Sequence, residues 1–392
     1  MSIDIQAMQT DLLTARVDGW LFYDFRGRDP IAQRILKLPE AMRTRRWFYF
    51  VPVKGTARKL VHKIEAQALE SLPGEIFYYA GLEELEKGLK KILGRANTVA
   101  MQYSPKNAIP YISMVDAGTI EMVRSLGAKV VSSADLVQKY EACWTDEQLR
   151  SHQEAGKAID IIVRGAFEHA AKCVRERTAL TEFELKQWIQ GGFEAAGLHA
   201  EEGPDVAVGA HASDPHYGPT LETAAPIRKD DLLLLDVWGK LKAPGSVYYD
   251  ITWIGCLGKK VPPKYAKVFA VVKTARDKAV ELICSSASAG KPLQGWQVDK
   301  AARTVIEKAG YGKYFFHRTG HNIGEMVHGN GANMDGLETH DVRRLIPRTC
   351  TSVEPGIYLP EFGIRSEVNV YIDERSARVT GAVQKEILAL LA

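Results

Sequence analysis

In the stretch LLLLDVWG, four leucines (Leu232, Leu233, Leu234 and Leu235) run straight into Asp236. So apolar a run belongs in a core. An ionised carboxylate at its end is costly to bury unless it is paired or bound to a cation. The conflict returns in VYYDITWIG, where Asp250 stands between aromatic and β-branched residues. On a strand Tyr248, Asp250 and Thr252 share one face. Two further acids have strand-like surroundings, Glu354 in TSVEPGIY and Glu367 in IRSEVNVYI. Each has an ordinary reading alone: Asp236 as a turn residue, Glu354 before Pro355 as a loop residue, Arg365 and Glu367 as a surface charge group. Together they resemble a ligand set, and a fold that buries these strands must also neutralise their acids.

A second feature lies among these acids. HRTGHNIGEMVHGNG, from His317 to Gly331, holds His317, His321 and His328, three of the chain's ten histidines. It is not a zinc-protease helix. No acid follows the first histidine, and Gly320 breaks the turn between His317 and His321. A glycine-rich loop presenting several imidazoles is expected instead. Four carboxylates and one imidazole suit two divalent cations bridged by carboxylates and a water better than a lone structural zinc. Such a pair lowers the pKa of a bridging water and polarises a carbonyl, which is hydrolysis chemistry.

The 392 residues suggest two domains. A net charge of +3 without a long basic run gives nucleic-acid binding no electrostatic support. The five cysteines, Cys143, Cys173, Cys256, Cys284 and Cys350, are scattered and never in CxxC spacing. That argues against a disulfide framework or a cysteine metal site and for a reduced, cytoplasmic protein. MSIDIQAMQTDLLTAR lacks the apolar run of a signal peptide, and no stretch reaches the roughly 18 apolar residues of a membrane span.

Texture divides the chain near residue 140. Before it, WLFYDFRG, RRWFYFVPVKG, LVHKIE, EIFYYAG and TVAMQY read as strands. DIQAMQTDLLTAR, LEELEKGLKKIL and DAGTIEMVRSLG read as helices by their i, i+3, i+4 apolar spacing. This is an α/β pattern without a phosphate-binding glycine loop or a catalytic cluster, and His62 in it reads as a structural or interface residue. Beyond it come a long helix from Asp146 to about Val174 and a helix opened by a Thr181–Glu184 capping box. Strands follow at DVAVG, LLLLDVWG, SVYYDITWIGC, TSVEPGIYL and IRSEVNVYI, with two more helices between. That pattern is α+β.

The second part resembles the pita-bread metallopeptidases: Xaa-Pro aminopeptidases, Xaa-Pro dipeptidases (prolidases) and methionine aminopeptidases, with creatinase sharing the fold without metals. Asp236, Asp250, His321, Glu354 and Glu367 match the family's order of ligands: Asp, Asp, His, Glu, Glu. The resemblance implies a pita-bread catalytic domain over 147–392, preceded by a smaller creatinase-like α/β domain over 1–143, as in the Xaa-Pro branch. It implies a hydrolase, an Xaa-Pro dipeptidase or aminopeptidase, that cleaves between an N-terminal residue and proline with a metal-bridging hydroxide. Two divalent ions are implied, manganese first, with cobalt, iron or zinc open. Glu354 would move the proton. His216 (in DPHYGP) and His328 would contact the reacting carbonyl, and His317 the proline side. Tyr358 and Arg365 would complete the pocket, Arg365 as a partner of the acids. A homodimer is implied, with no nucleic-acid or membrane partner. Two departures stand out: a longer Asp236–Asp250 connection, GKLKAPGSV, expected as a hairpin loop, and Gly-Asn-Gly after His328. Other uses of the same site stay open: a metal-dependent lyase or another hydrolase, a metal-free creatinase-like enzyme, or a non-catalytic peptide-binding protein.

Overall fold

The structure, a computed structural model, describes residues 3–392; Met1 and Ser2, the start of the amphipathic N-terminal stretch, lie outside the described residues. The chain separates into two units, the first ending at Glu141 and the second beginning at Ala142.

The first unit is built on six strands: β1 (Gly19–Asp24), β2 (Trp47–Pro52), β3 (Arg58–His62), β4 (Glu75–Tyr79), β5 (Thr98–Met101) and β6 (Lys129–Ser132). Their order is β4-β3-β2-β1-β5-β6. The pairs β1–β2 and β2–β3 are antiparallel, while the outer pairs are parallel. Helices α1 (Ile5–Ala15), α2 (Pro30–Ile35), α3 (Leu82–Leu93), α4 (Ala117–Ser125) and α5 (Ala134–Glu141) accompany it. β1 and β2 are buried along their whole length because alternate residues feed two cores. Trp20, Phe22 and Tyr49 enter one cluster, and Leu21, Tyr23, Phe48 and Phe50 the other. LEELEKGLKKIL is the helix its periodicity predicts, with Leu85, Leu89 and Ile92 inward. The sequence reading did not anticipate β6, α2 or α5; they are short, and one or two turns carry little periodic signal.

In the second unit, α6 (Asp146–Glu176) and α7 (Glu182–Ala195) both open with complete capping boxes, Thr145 with Gln148 and Thr181 with Glu184. Then come strands β7 (Leu198–His199), β8 (Asp205–Val208), β9 (Leu232–Leu241) and β10 (Tyr249–Cys256), and helices α8 (Pro263–Ser288) and α9 (Gly295–Lys308). The remaining strands are β11 (Asn322–Ile323), β12 (Thr349–Val353), β13 (Gly356–Leu359), β14 (Phe362–Arg365), β15 (Val368–Asp373), β16 (Ser376–Val379) and β17 (Leu388–Ala389). One sheet runs β17-β10-β9-β7, with β8 also on β9; a second runs β11-β12-β15-β16; β13 and β14 form a hairpin. Leu233, Leu235, Val237 and Ile251 pack with α6 and α7. Leu232, Leu234, Ile254 and Cys256 join α8, α9 and the second sheet. All five cysteines are free. No helix among the described residues is long and apolar enough to cross a membrane.

The long Asp236–Asp250 connection extends β9 before it turns. β9 continues to Leu241, where its end pairs with β7. The connection leans on the histidine segment, through Tyr248 N to Gly324 O at 2.9 Å and, from the end of β9, Lys240 Nζ to Glu325 O.

Candidate metal centre

Register explains how the two aspartates meet. In the antiparallel β9–β10 pair, Thr252 lies opposite Asp236 and Asp250 opposite Trp238. Alternation then puts Asp236, Asp250 and Thr252 on one face. It is the face of Leu232, Leu234 and Ile254, turned toward the second sheet.

The two glutamates arrive by another route. The β12–β15 ladder ends at Val353 opposite Val368, and pairing resumes at Gly356 opposite Arg365. The gap holds Glu354, Pro355, Ser366 and Glu367. TSVEPGIYL and IRSEVNVYI are therefore each two strands rather than one, because Pro355 has no N–H for the ladder. The break frees both glutamates from strand alternation. Glu367 is buried, and Glu354 is mostly so.

His321 comes from the glycine-rich loop, against β12. A Cβ on Gly320 would lie 2.1 Å from Ser352 O, so only glycine permits this approach. His321 N donates to Ser352 Oγ at 2.9 Å, and Ser352 N to His321 O at 2.8 Å. His321 Nδ1 lies 3.1 Å from Asn322 O and so carries the proton. Its Nε2 lone pair then faces Asp250 Oδ2 at 3.5 Å and Glu354 Oε1 at 3.4 Å.

One ligand atom each from Asp250, His321 and Glu367 lies within 4.8 Å of the others, all three residues buried. Asp236 and Glu354 flank this trio. Thr252 Oγ1 is 2.9 Å from both Asp236 Oδ1 and Glu367 Oε2, one proton facing two carboxylates. Arg365 is fully enclosed. Its Nη2 holds Asp236 Oδ2, its Nε donates to Thr252 Oγ1 at 2.9 Å, and its Nη1 donates to Tyr358 Oη at 3.2 Å. Tyr358 in turn donates to His317 Nε2 at 2.7 Å, since His317 Nδ1 is committed to Arg318 O at 2.6 Å. Tyr358 and Arg365 thus brace the acids. Burial, and next the charge of Asp236, pushes the Asp250 carboxyl well above its usual range against the pull of Arg365. Burial, then Asp250 and Glu354, does the same to Glu367. Glu354 is also raised, chiefly by burial. Burial pushes His317 down to about 3, with Arg365 adding to it.

The donor set fits a divalent cation on three counts. A buried imidazole presents a lone pair to carboxylates. Glu367 Oε1 is buried without a hydrogen-bond partner among the described residues. Four carboxylates face one guanidinium, an excess of negative charge that protons or cations must offset.

His328 stands beside the trio. The His328 ring lies 4.3 Å from that of His321, at 76°, and its pKa is held down first by that neighbour. His216 is exposed on a loop that Asp214 fixes by accepting from His216 N at 3.0 Å. The sequence reading named Thr252 only for its face; its central place was signalled by its spacing from Asp250. Asn369 was missed. Its Oδ1 accepts from Asp250 N at 3.0 Å, and nothing local in NVYI marks it.

A family model for metallopeptidase family M24 matches residues 150–374. An Xaa-Pro dipeptidase of Lactobacillus helveticus is 30% identical over 236 residues, 60% of this chain and 58% of that protein, so the match spans less than two thirds of that relative's length. Among solved structures, dipeptidase PepE from Mycobacterium ulcerans aligns with TM-score 0.71 at 22% identity, covering 98% of this chain and 96% of that one. A prolidase from Thermococcus sibiricus aligns with TM-score 0.63 at 19% identity, covering 99% and 100%. These likenesses, at such identities, are likenesses of fold: a pita-bread unit preceded in the chain by a smaller α/β unit. The chain belongs to metallopeptidase family M24.

Proposed function

We propose that this protein is a two-metal peptidase that releases the N-terminal residue from an Xaa-Pro peptide. The observation that carries the reading is the convergence of Asp250, His321 and Glu367 in a buried, charge-unbalanced cluster. The name of the Lactobacillus relative supports the substrate class. Asp236, Asp250, His321, Glu354 and Glu367 would hold two divalent ions, manganese before cobalt, iron or zinc. Ions bound there polarise a carbonyl and lower the pKa of a water.

The chain's own groups then account for the proton and the charge. Glu354, its Oε1 steadied by Ser352 Oγ at 3.0 Å, takes the proton of the attacking water and returns it to the leaving nitrogen. That return matters because a prolyl amide nitrogen carries no N–H, and the departing ring must be protonated. His328 and His216 donate to the developing oxyanion. His317, through Tyr358, keeps Arg365 aimed at Asp236. We further propose a homodimer in solution, which a sizing experiment checks.

The test pairs metal analysis with turnover of Xaa-Pro dipeptides and tripeptides. Asp250→Ala should lose bound metal and nearly all activity while keeping its circular dichroism. Wild-type turnover by that variant would end the two-metal assignment. Cleavage of dipeptides alone would mean a dipeptidase, and of longer chains an aminopeptidase.

A further inference from the structure

We infer that the first unit carries a phosphate-binding cleft, built from its own residues and serving a ligand other than the peptide. A cleft of about 630 Å³ is lined by Arg28, Arg45 and Arg46, with Tyr23, Tyr79 and Met122 among its walls. None of the three arginines makes an ion pair within 4 Å among the described residues. Two carboxylates offset part of that charge, Asp116 on the cleft wall and Glu65 beside Arg45, and both already accept hydrogen bonds. Asp116 accepts from Thr119 N and Oγ1, each at 2.9 Å, and Glu65 accepts from Thr44 N, Thr44 Oγ1 and Arg45 N. Guanidiniums gathered around one cleft repel one another, and an anion between them removes that cost.

The backbone that carries each arginine is fixed. Arg28 leaves a turn with φ of 63° at Arg26 and 75° at Gly27. Buried Asp24 closes that turn by accepting from Gly27 N at 3.0 Å and Asp29 N at 2.9 Å. Tyr79 Oη donates to Arg46 O at 2.7 Å, and Arg45 N donates to Glu65 Oε2 at 3.0 Å. One helix start adds to the field: α3 begins just after Gly81, which carries no side-chain cap and borders the cleft. Glu84 in the first turn of α3 is occupied by Ala80 N at 2.7 Å and by Lys63. His62 lines the cleft only as a wall, since Nδ1 accepts from Ile64 N and Nε2 faces Ala80 O, each at 3.1 Å.

Three guanidiniums offer more donors than one carboxylate can accept, whereas a phosphate dianion supplies three oxygens and a second charge. The full-length, metal-loaded protein and Asp250→Ala are titrated calorimetrically with inorganic phosphate, then with succinate, at constant ionic strength. Phosphate should bind both proteins alike. Arg28→Gln/Arg46→Gln should weaken it at least tenfold. Met122→Glu, which sets a carboxylate in the cleft without removing an arginine, should do the same, with the circular dichroism of both variants unchanged. Unchanged affinity in both cleft variants, no binding to the wild type, or loss in Asp250→Ala alone would overturn the cleft. Succinate binding as tightly as phosphate would overturn the phosphate assignment.

Discussion

Thr252 sets one hydroxyl proton between two carboxylates and receives the guanidinium N–H of Arg365. Groups behind a ligand typically change metal affinity about 10–100-fold when removed. Thr252→Val should therefore weaken metal binding by about that factor with the fold intact, and Thr252→Ser should restore most of it; competition against a chelating dye measures both. His152 is a second telling residue. Its Nδ1 donates to Tyr248 O and its Nε2 accepts from Thr380 Oγ1, both at 2.6 Å, so the folded chain holds it neutral. Burial pushes its pKa down from 6.5 to about 4. The unfolded chain takes up the proton first. Stability present above pH 6.5 is therefore lost as pH falls from 6.5 toward 4, by about 3 kcal/mol at full extent. Urea midpoints of the chelated protein across that range, compared with His152→Gln, should isolate the loss. Equal pH slopes in the two proteins would show that His152 does not supply it.

At the scale of elements, the start of α7 organises the loop that carries His216. Glu182, fully buried, accepts from Val208 N, Ala225 N and Tyr217 Oη, each at 2.7 Å, and faces His211 Nδ1 at 2.9 Å. Glu182→Ala would strand these donors. We expect a cost of about 3 kcal/mol in urea unfolding and faster proteolysis between residues 208 and 225, with metal content unchanged. The capping boxes of α6 and α7, and the helix at Leu82–Leu93, were legible because cap and stripe are local signals. The interruptions at Glu354-Pro355 and Ser366-Glu367 were not. Pro355 hinted at one, but Ser366 and Glu367 leave the ladder only because their partner strand does.

For the whole molecule, metal held at this cluster would couple binding to folding. Four carboxylates from two sheets are brought to one place, and cations that bind only the folded chain stabilise it by about 2.7 kcal/mol at a hundredfold excess over Kd. Chelation should therefore lower the melting temperature by several degrees, and manganese should restore it. The shift should vanish in Asp250→Ala. A melting temperature indifferent to metal in the wild type would count against a metal site at this cluster.

Much of the site was open to sequence reasoning because chemistry contradicts context there: acids at the ends of apolar runs, imidazoles among glycines. Asp250, His321 and Glu367 carry that contradiction, and they converge in the fold. What the sequence could not show is set by long-range pairing. The register of β9 on β10 decides that Asp236 meets Thr252, and the paired ladder breaks decide where Glu354 and Glu367 point. Arg365, Tyr358 and His317 become one brace only when β14 folds back on β13. The three arginines of the first unit come from separate stretches, DFRGRDP and RTRRW, and only the packing of β1, β2 and α4 gathers them around one cleft. Local sequence determines which residues are out of place in a core. The tertiary structure decides which of them share a neighbour, because strand register and loop closure depend on partners far away in the chain.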